Sequence, residues 1–149
     1  MTLAVRALAP SDRSAWTRLW QDYLRGAGTV LSDAHIARHF TRLTDPAEAR
    51  FAGFVAADTG GRLVGLAHCI WHGDGWTDAE VCCLQDLFTA EGQRGRGVAR
   101  ALISAVYDDA AARGAADVYW MTKPTNAAAR RLYDQVGRQT PYIKYERAG

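Results

Sequence analysis

The run AEGQRGRGVARALI, Ala90 to Ile103, sets two glycines one residue apart among arginines. Gly95 and Gly97 let the backbone turn tightly and leave no Cβ to hold a ligand away. A helix-type pattern starts at Val98. Helix N-termini leave amide hydrogens unpaired and carry about half a positive charge. Bare backbone there makes a nest of amides suited to an anion, most often a phosphate. Arg94, Arg96 and Arg100 add charge at the rim. Arg100 occupies the third glycine position of a Rossmann fingerprint, and the Gly-Lys-Ser/Thr of a P-loop is absent. The structural alternative is a glycine-rich turn with solvated arginines.

A second group lies in WMTKPTNAAARRLYDQVG, Trp120 to Gly137, where Asn126 stands near a helix start and Tyr133 follows on that helix. Upstream, Gln85-Asp86 sits in a strand-like run, and His68 and His72 share a face of the preceding strand. Histidine is the natural base near neutral pH, although a single histidine is usually structural. His35 and His39 have a metal-capable helical spacing. With no third ligand in the sequence, a solvated helix face is the expectation there. Trp71 and Trp76 flank the loop before the Gln85-Asp86 strand and are candidates for pocket lining or for packing.

These residues need elements to carry them. Thr2 to Leu8 reads as a first strand. Ser11 or Asp12 can cap a helix bearing Trp16, Leu19, Trp20, Tyr23 and Leu24 on one face. Ser32 can cap a second helix to about Leu43, with Ile36 and Phe40 inward. Phe51 to Ala57 and Arg62 to Trp71 are strands joined by the hairpin signal DTGG. Val81 to Thr89 is a fourth strand, Val98 to Arg113 a helix, and Asp117 to Thr122 a buried-type strand. A helix from about Asn126 to Val136 and a last strand, YIKYE, complete the order. This is a mixed α/β sheet in one domain, residues 1–149.

Composition agrees with that class. Apolar residues make up 48% and charged residues 23%, ordinary for a globular chain. A net charge of +2 argues against bulk-charge binding of nucleic acid. No apolar run approaches a membrane span. The odd set Cys69, Cys82 and Cys83 shows no metal-ligand spacing and suits reduced thiols in a cytoplasmic protein.

The string Arg94-Gly95-Arg96-Gly97-Val98-Ala99 resembles the pyrophosphate loop of the GNAT superfamily of acetyl-CoA-dependent N-acetyltransferases, usually Q/R-x-x-G-x-G/A. Asn126, Tyr133 and Gly137 are similar to the N-x-x-x-x-x-x-Y-x-x-x-G arrangement that follows the family's fifth strand. The likeness runs from about Phe54 onward and looks closest to the histone and polyamine branch. It implies an α/β (α+β) fold: a central mixed, mostly antiparallel sheet, helices on both faces, and a splayed fourth and fifth strand. Acetyl-CoA is the implied co-substrate. Its pyrophosphate falls to Arg94 through Ala99, with Asn126 as a further contact. Backbone amides around Leu87, Phe88 and Thr89 are the implied polarisers of the thioester carbonyl. Tyr133 is the implied acid for the leaving thiolate. Arg130 could reach cofactor phosphates or simply be solvated.

Transfer to an amine also requires a base, because alkyl amines ionise near 10.4. Where many polyamine-type relatives carry Glu-Asp, this chain has Gln85-Asp86. Gln85 cannot accept a proton; Asp86 can, or it can attract a cationic amine. His68, His72, Glu80 and a water chain are the other routes. The expected partner is a small-molecule amine, polyamine-like or an amino acid, or a lysine side chain, with no nucleic acid or membrane. A homodimer formed through the terminal YIKYER is expected. The rival reading is a non-catalytic CoA-binding module, supported by Gln85 alone.

Overall fold

The computed structural model describes residues 2–149. Its elements are β1 (Ala4–Ala7), a 3-10 turn (Pro10–Asp12), α1 (Arg13–Gly26), α2 (Asp33–Thr44), β2 (Phe51–Ala57), β3 (Leu63–Asp74), β4 (Thr77–Thr89), α3 (Val98–Ala112), β5 (Asp117–Tyr119) and α4 (Ala127–Val136). The strands lie in chain order in one five-stranded sheet. Pairing is antiparallel from β1 to β4, and β5 joins β4 in parallel after the α3 crossover.

Helices cover both faces, as the sequence implied. On one face Trp16, Leu19, Trp20 and Leu24 of α1 join Ile36, Phe40 and Leu43 of α2 over Val55 and Leu66. On the other, Val98, Leu102, Ile103, Val106 and Ala110 of α3 pack on Ala67, Cys69, Trp71, Cys82 and Leu84. Leu132, Tyr133 and Val136 of α4 close the margin of that second core.

One irregularity in β4 decides the geometry of the site. His68 pairs with Asp86 but Cys69 pairs with Leu84, so Gln85 is an extra residue, a β-bulge. Strand side chains alternate between faces, and an extra residue reverses the alternation. Leu84 and Leu87 therefore both join the α3 core, while Phe88 joins the α1 and α2 core. Asp86 is carried to the α1 side with Phe88, opposite His68.

Several sequence expectations change in detail. β3 and β4 extend further than expected, since HGDG and the residues after it form the tip of a long ribbon in which Asp74 pairs with Thr77. β5 ends at Tyr119 rather than at Thr122, because Trp120 to Thr122 leave β4 where it bulges. The expected last strand at YIKYE is not formed: no described strand pairs with it, and Tyr142, Ile143 and Tyr145 are exposed. Neither Ser11 nor Asp12 caps α1 through its side chain. The Asp12 carboxylate instead accepts from Arg6 at 2.7 and 2.8 Å and from the Ala9 amide at 2.8 Å. Ser32 does cap α2, its hydroxyl accepting from the His35 amide at 3.1 Å. All three cysteines are free and buried. No described helix is long and apolar enough to cross a membrane.

Candidate active site

The glycine loop is built as a bare cradle. Gly95 and Gly97 have φ of 76° and 80°, a conformation only glycine adopts without strain. A Cβ on either would meet nothing within 4 Å, so backbone conformation rather than crowding selects glycine there. Gly97 is the N-cap of α3, and Arg94 through Gly97 are all exposed. Val98, next in line, is buried at 2% exposure and wedges α3 onto β3. The wedge fits because Gly65 has no side chain: a Cβ there would lie 2.5 Å from Val98 Cγ1. Ala99 follows in the first turn of α3. Arg100 is hydrogen-bonded to Gln135 and so ties α3 to α4.

Past Cys83 and Tyr119, β4 and β5 no longer pair. The splay holds a cavity of about 210 Å³ lined by Tyr23, Gln85, Leu87, Thr122, Asn126 and Tyr133 among others. Asn126 is the N-cap of α4 and donates from Nδ2 to Thr122 Oγ1 at 3.2 Å. Tyr133 is half-buried, edge-on to Trp120 at 5.5 Å, and burial raises its pKa. The phenol therefore holds its proton at neutral pH. Leu87 faces this cavity, whereas the Phe88 ring packs against Tyr23 on the opposite side of the sheet at 5.6 Å. Phe88 can reach a ligand in the splay only through its backbone. Thr89, the last residue of β4, pairs with Gly65. Arg130 donates to the Pro124 carbonyl at 2.8 Å and to Gln139 Oε1 at 3.0 Å, which pins the loop before α4 to the tail after it.

The other wall is a buried polar chain that local sequence patterns did not reveal. Trp16 Nε1 donates to His68 Nε2 at 3.0 Å. An indole N–H can only donate, so Nε2 must accept and the neutral ring carries its proton on Nδ1. That Nδ1–H faces Asp86 Oδ2 at 3.0 Å. His68 is 1% exposed and the Asp86 side chain 12%. Burial first, then the nearby Asp86 carboxylate, push the Tyr23 phenol up to about 12.

His39 departs from expectation. It does not lie on a solvated face: it is half-buried, with its ring 5.4 Å from Trp20 and 4.9 Å from His68. Burial, reinforced by His68, lowers its pKa to about 4. Ligand atoms of His39, His68 and Asp86 lie within 4.8 Å of one another, close enough to hold a metal. The tautomer set by Trp16 puts a proton on His68 Nδ1 where a metal needs a lone pair. The trio reads as a hydrogen-bonded network.

The remaining sequence candidates lie elsewhere. His72 bonds Tyr119 Oη at 2.9 Å and the Gly73 carbonyl at 2.8 Å, exposed near the far end of β3. Glu80 is exposed. Trp71 is buried under Arg113, which stacks 4.5 Å from its ring, and Trp76 is 96% exposed at the ribbon tip. Sequence reasoning missed Tyr23, Trp16 and Gly65 as contributors to the site. Tyr23 and Trp16 fit the apolar stripe of α1 so well that packing absorbed them.

Comparison with known proteins supplies the family. The model of the acetyltransferase (GNAT) family matches residues 11–137. The chain belongs to the GNAT acetyltransferases. It is 36% identical over 148 residues to the D-amino-acid N-acetyltransferase HPA3 of Saccharomyces cerevisiae, covering 99% of this chain and 91% of that protein. The aminoglycoside N-acetyltransferase AAC(6')-Iy, solved with a CoA bisubstrate analogue, superposes with a TM-score of 0.84 at 20% identity, covering 100% and 99% of the two chains. The ribosomal-protein-alanine N-acetyltransferase of Brucella melitensis biovar Abortus 2308 gives 0.82 at 19% identity, with both chains fully covered. This GNAT chain is an acetyl-CoA-dependent N-acetyltransferase. The yeast relative is named for D-amino acids, where the sequence resemblance pointed to polyamines and histone lysines.

Proposed function

We propose that the chain acetylates the primary amino group of a small molecule by direct attack within a ternary complex, with a free amino acid as the leading acceptor class. The observation that carries this is the splay cavity, with Tyr133 on one wall and the Tyr23 hydroxyl, backed by Asp86, on the other. The 36% identity to an amino-acid acetyltransferase favours amino acids over polyamines and lysine side chains.

Acetyl-CoA supplies the acetyl group as a thioester. The cradle from Arg94 to Ala99 binds its pyrophosphate with backbone amides, and Asn126 makes a second contact. Beyond Cys83 the β5-facing edge of β4 has no strand partner. Outward amides near Leu87 are therefore free to polarise the carbonyl. Tyr133 Oη, kept protonated by burial, hands its proton to the departing sulfur. Asp86 takes up the proton that the acceptor must lose. Gln85 serves as the bulge that aims Asp86. Two copies of the chain pair through their C-terminal tails: Tyr142, Ile143 and Tyr145 are exposed and β5 ends the sheet with an open edge.

The test is a mass-spectrometric screen. Acetyl-CoA is incubated with pooled D- and L-amino acids, polyamines and lysine peptides, beside a Tyr133→Phe variant. An acetylated amino acid whose formation slows by roughly a hundredfold or more in the variant, with CoA affinity unchanged, is the expected result. Acetylation confined to polyamines or peptides would overturn the acceptor assignment, and a fully active variant would overturn the acid.

A further inference from the structure

We propose that Tyr23 conducts the proton from the acceptor amine to Asp86, so that α1 supplies a catalytic residue to a site otherwise built from β4, α3 and α4. The inference rests on the acetyl-transfer reading of the same cavity.

Position makes the case. Tyr23 lines the cavity, whereas Asp86 is not part of that lining and its side chain is only 12% exposed. The Tyr23 ring packs on Phe88, which shares the α1 face of β4 with Asp86, and the carboxylate is near enough to act on the Tyr23 hydroxyl. The ring is held on two sides, stacked on Trp20 at 4.9 Å and edge-on to Phe88 at 5.6 Å. Tyr133 lines the same cavity. The ring is thus held beside Asp86 while it lines the cavity where the amine would react.

His68 cannot replace it. Its Nε2 lone pair is engaged by Trp16 and its Nδ1–H is given to Asp86. The groups facing Asp86 are His68 from β3, His39 from α2, Tyr23 from α1 and Cys83 from its own strand. Of these, Tyr23 is the one in the cavity lining.

The step balances. An acceptor ammonium gives one proton to Tyr23 Oη as its N–H bond breaks. The hydroxyl proton of Tyr23 passes to Asp86 as that O–H bond breaks. The phenol is restored, the carboxylate becomes a carboxylic acid, and the amine lone pair is free to attack. A cation and an anion become two neutral groups, a change favoured where water is scarce. Tyr23 does this without ionising, as its raised pKa of about 12 requires.

Tyr23→Phe keeps the ring and removes the hydroxyl. With the acceptor found in the screen, kcat/KM is measured from about pH 6 to about pH 10 for wild type, Tyr23→Phe, Asp86→Asn and the double variant. Wild type reaches a plateau near neutrality. Tyr23→Phe loses roughly 10–100-fold at pH 7 and regains about tenfold per pH unit towards the amine's own pKa. The double variant is no slower than the worse single one, because both changes cut one relay. The KM for acetyl-CoA stays unchanged. A loss smaller than about threefold with a wild-type profile, or single losses that multiply, would overturn the relay. A series of acceptors of falling pKa separates damage from mechanism. The Tyr23→Phe deficit shrinks along the series if a proton path is missing, and a constant deficit refutes the proposal. Absence of acetyl transfer by the wild type from any amine would count against the proposed function itself. Wild-type turnover matched by Tyr23→Phe counts against the relay alone.

Discussion

Gly65→Ala tests how the pyrophosphate cradle is seated. A Cβ at position 65 would lie 2.5 Å from Val98 Cγ1, 3.0 Å from the Phe88 carbonyl oxygen and 3.1 Å from Leu102 Cδ1. Ordinary contacts between carbon atoms are about 3.5–4.0 Å, so Val98 must retreat by roughly 1 Å. Val98 is 2% exposed and Leu102 0%, which leaves little room for either to yield. Overpacking of this kind costs about 1–3 kcal/mol. In a domain of this size each kcal/mol moves Tm by about 2–4 °C, so the melt should fall by roughly 2–12 °C. Function should suffer beyond stability, because Val98 directly follows the left-handed Gly97. Tilting the first turn of α3 misaims the amide nest. Loss of the equivalent of one good hydrogen bond, about 1.4 kcal/mol, raises the Kd for CoA about tenfold. Calorimetric CoA titration and thermal melts read the two effects. Adding Val98→Ala on this background removes the worst clash and should restore part of both, leaving the contacts with Phe88 and Leu102. A Gly65→Ala protein that melts within about 1 °C of wild type and binds CoA within about twofold would refute the close-seat reasoning.

Two further outcomes follow from burial and exposure. His39 titrates at about 4 in the fold, against roughly 6.5 unfolded, so the unfolded chain binds more protons between those values. Its contribution to stability is complete above about pH 6.5 and is lost as pH falls towards about 4. Melts between about pH 7 and about pH 5 should show a declining Tm that His39→Gln flattens. Carboxylates lowered by pairing, such as Asp12 with Arg6, act mainly below that window. A slope unchanged in His39→Gln would contradict the assignment. Ending the chain at Thr140 removes the exposed Tyr142, Ile143 and Tyr145. Light scattering should give a dimer mass for the full chain and a monomer mass for the shortened one; equal masses would rule out the tail as the interface.

The parts of the chain governed by local rules were legible before any fold was known. Turns that need φ > 0 select Gly95 and Gly97, and the apolar period of 3.6 marks α1, α2, α3 and α4 within about a residue or two. The loop and the helix bearing Asn126 and Tyr133 were legible for the same reason, since each is a contiguous string with a local conformational demand. The strand limits were less so, because pairing depends on a partner: β5 stops early at the splay, and the tail finds no strand within its own sheet.

Which of the candidate groups meet in the proton-handling wall depends on the tertiary fold. Strict alternation along β4 would place Asp86 with Leu84, under α3. The bulge at Gln85 turns it to the opposite face, where it meets His68 and the Tyr23 hydroxyl. Those partners come from β3 and α1, distant in the chain: the sequence offers His68 as one base candidate among several and Tyr23 as an ordinary core residue. A bulge depends on the register of two paired strands, and a buried hydrogen-bond network on which faces meet, so neither leaves a periodic trace in the residues themselves.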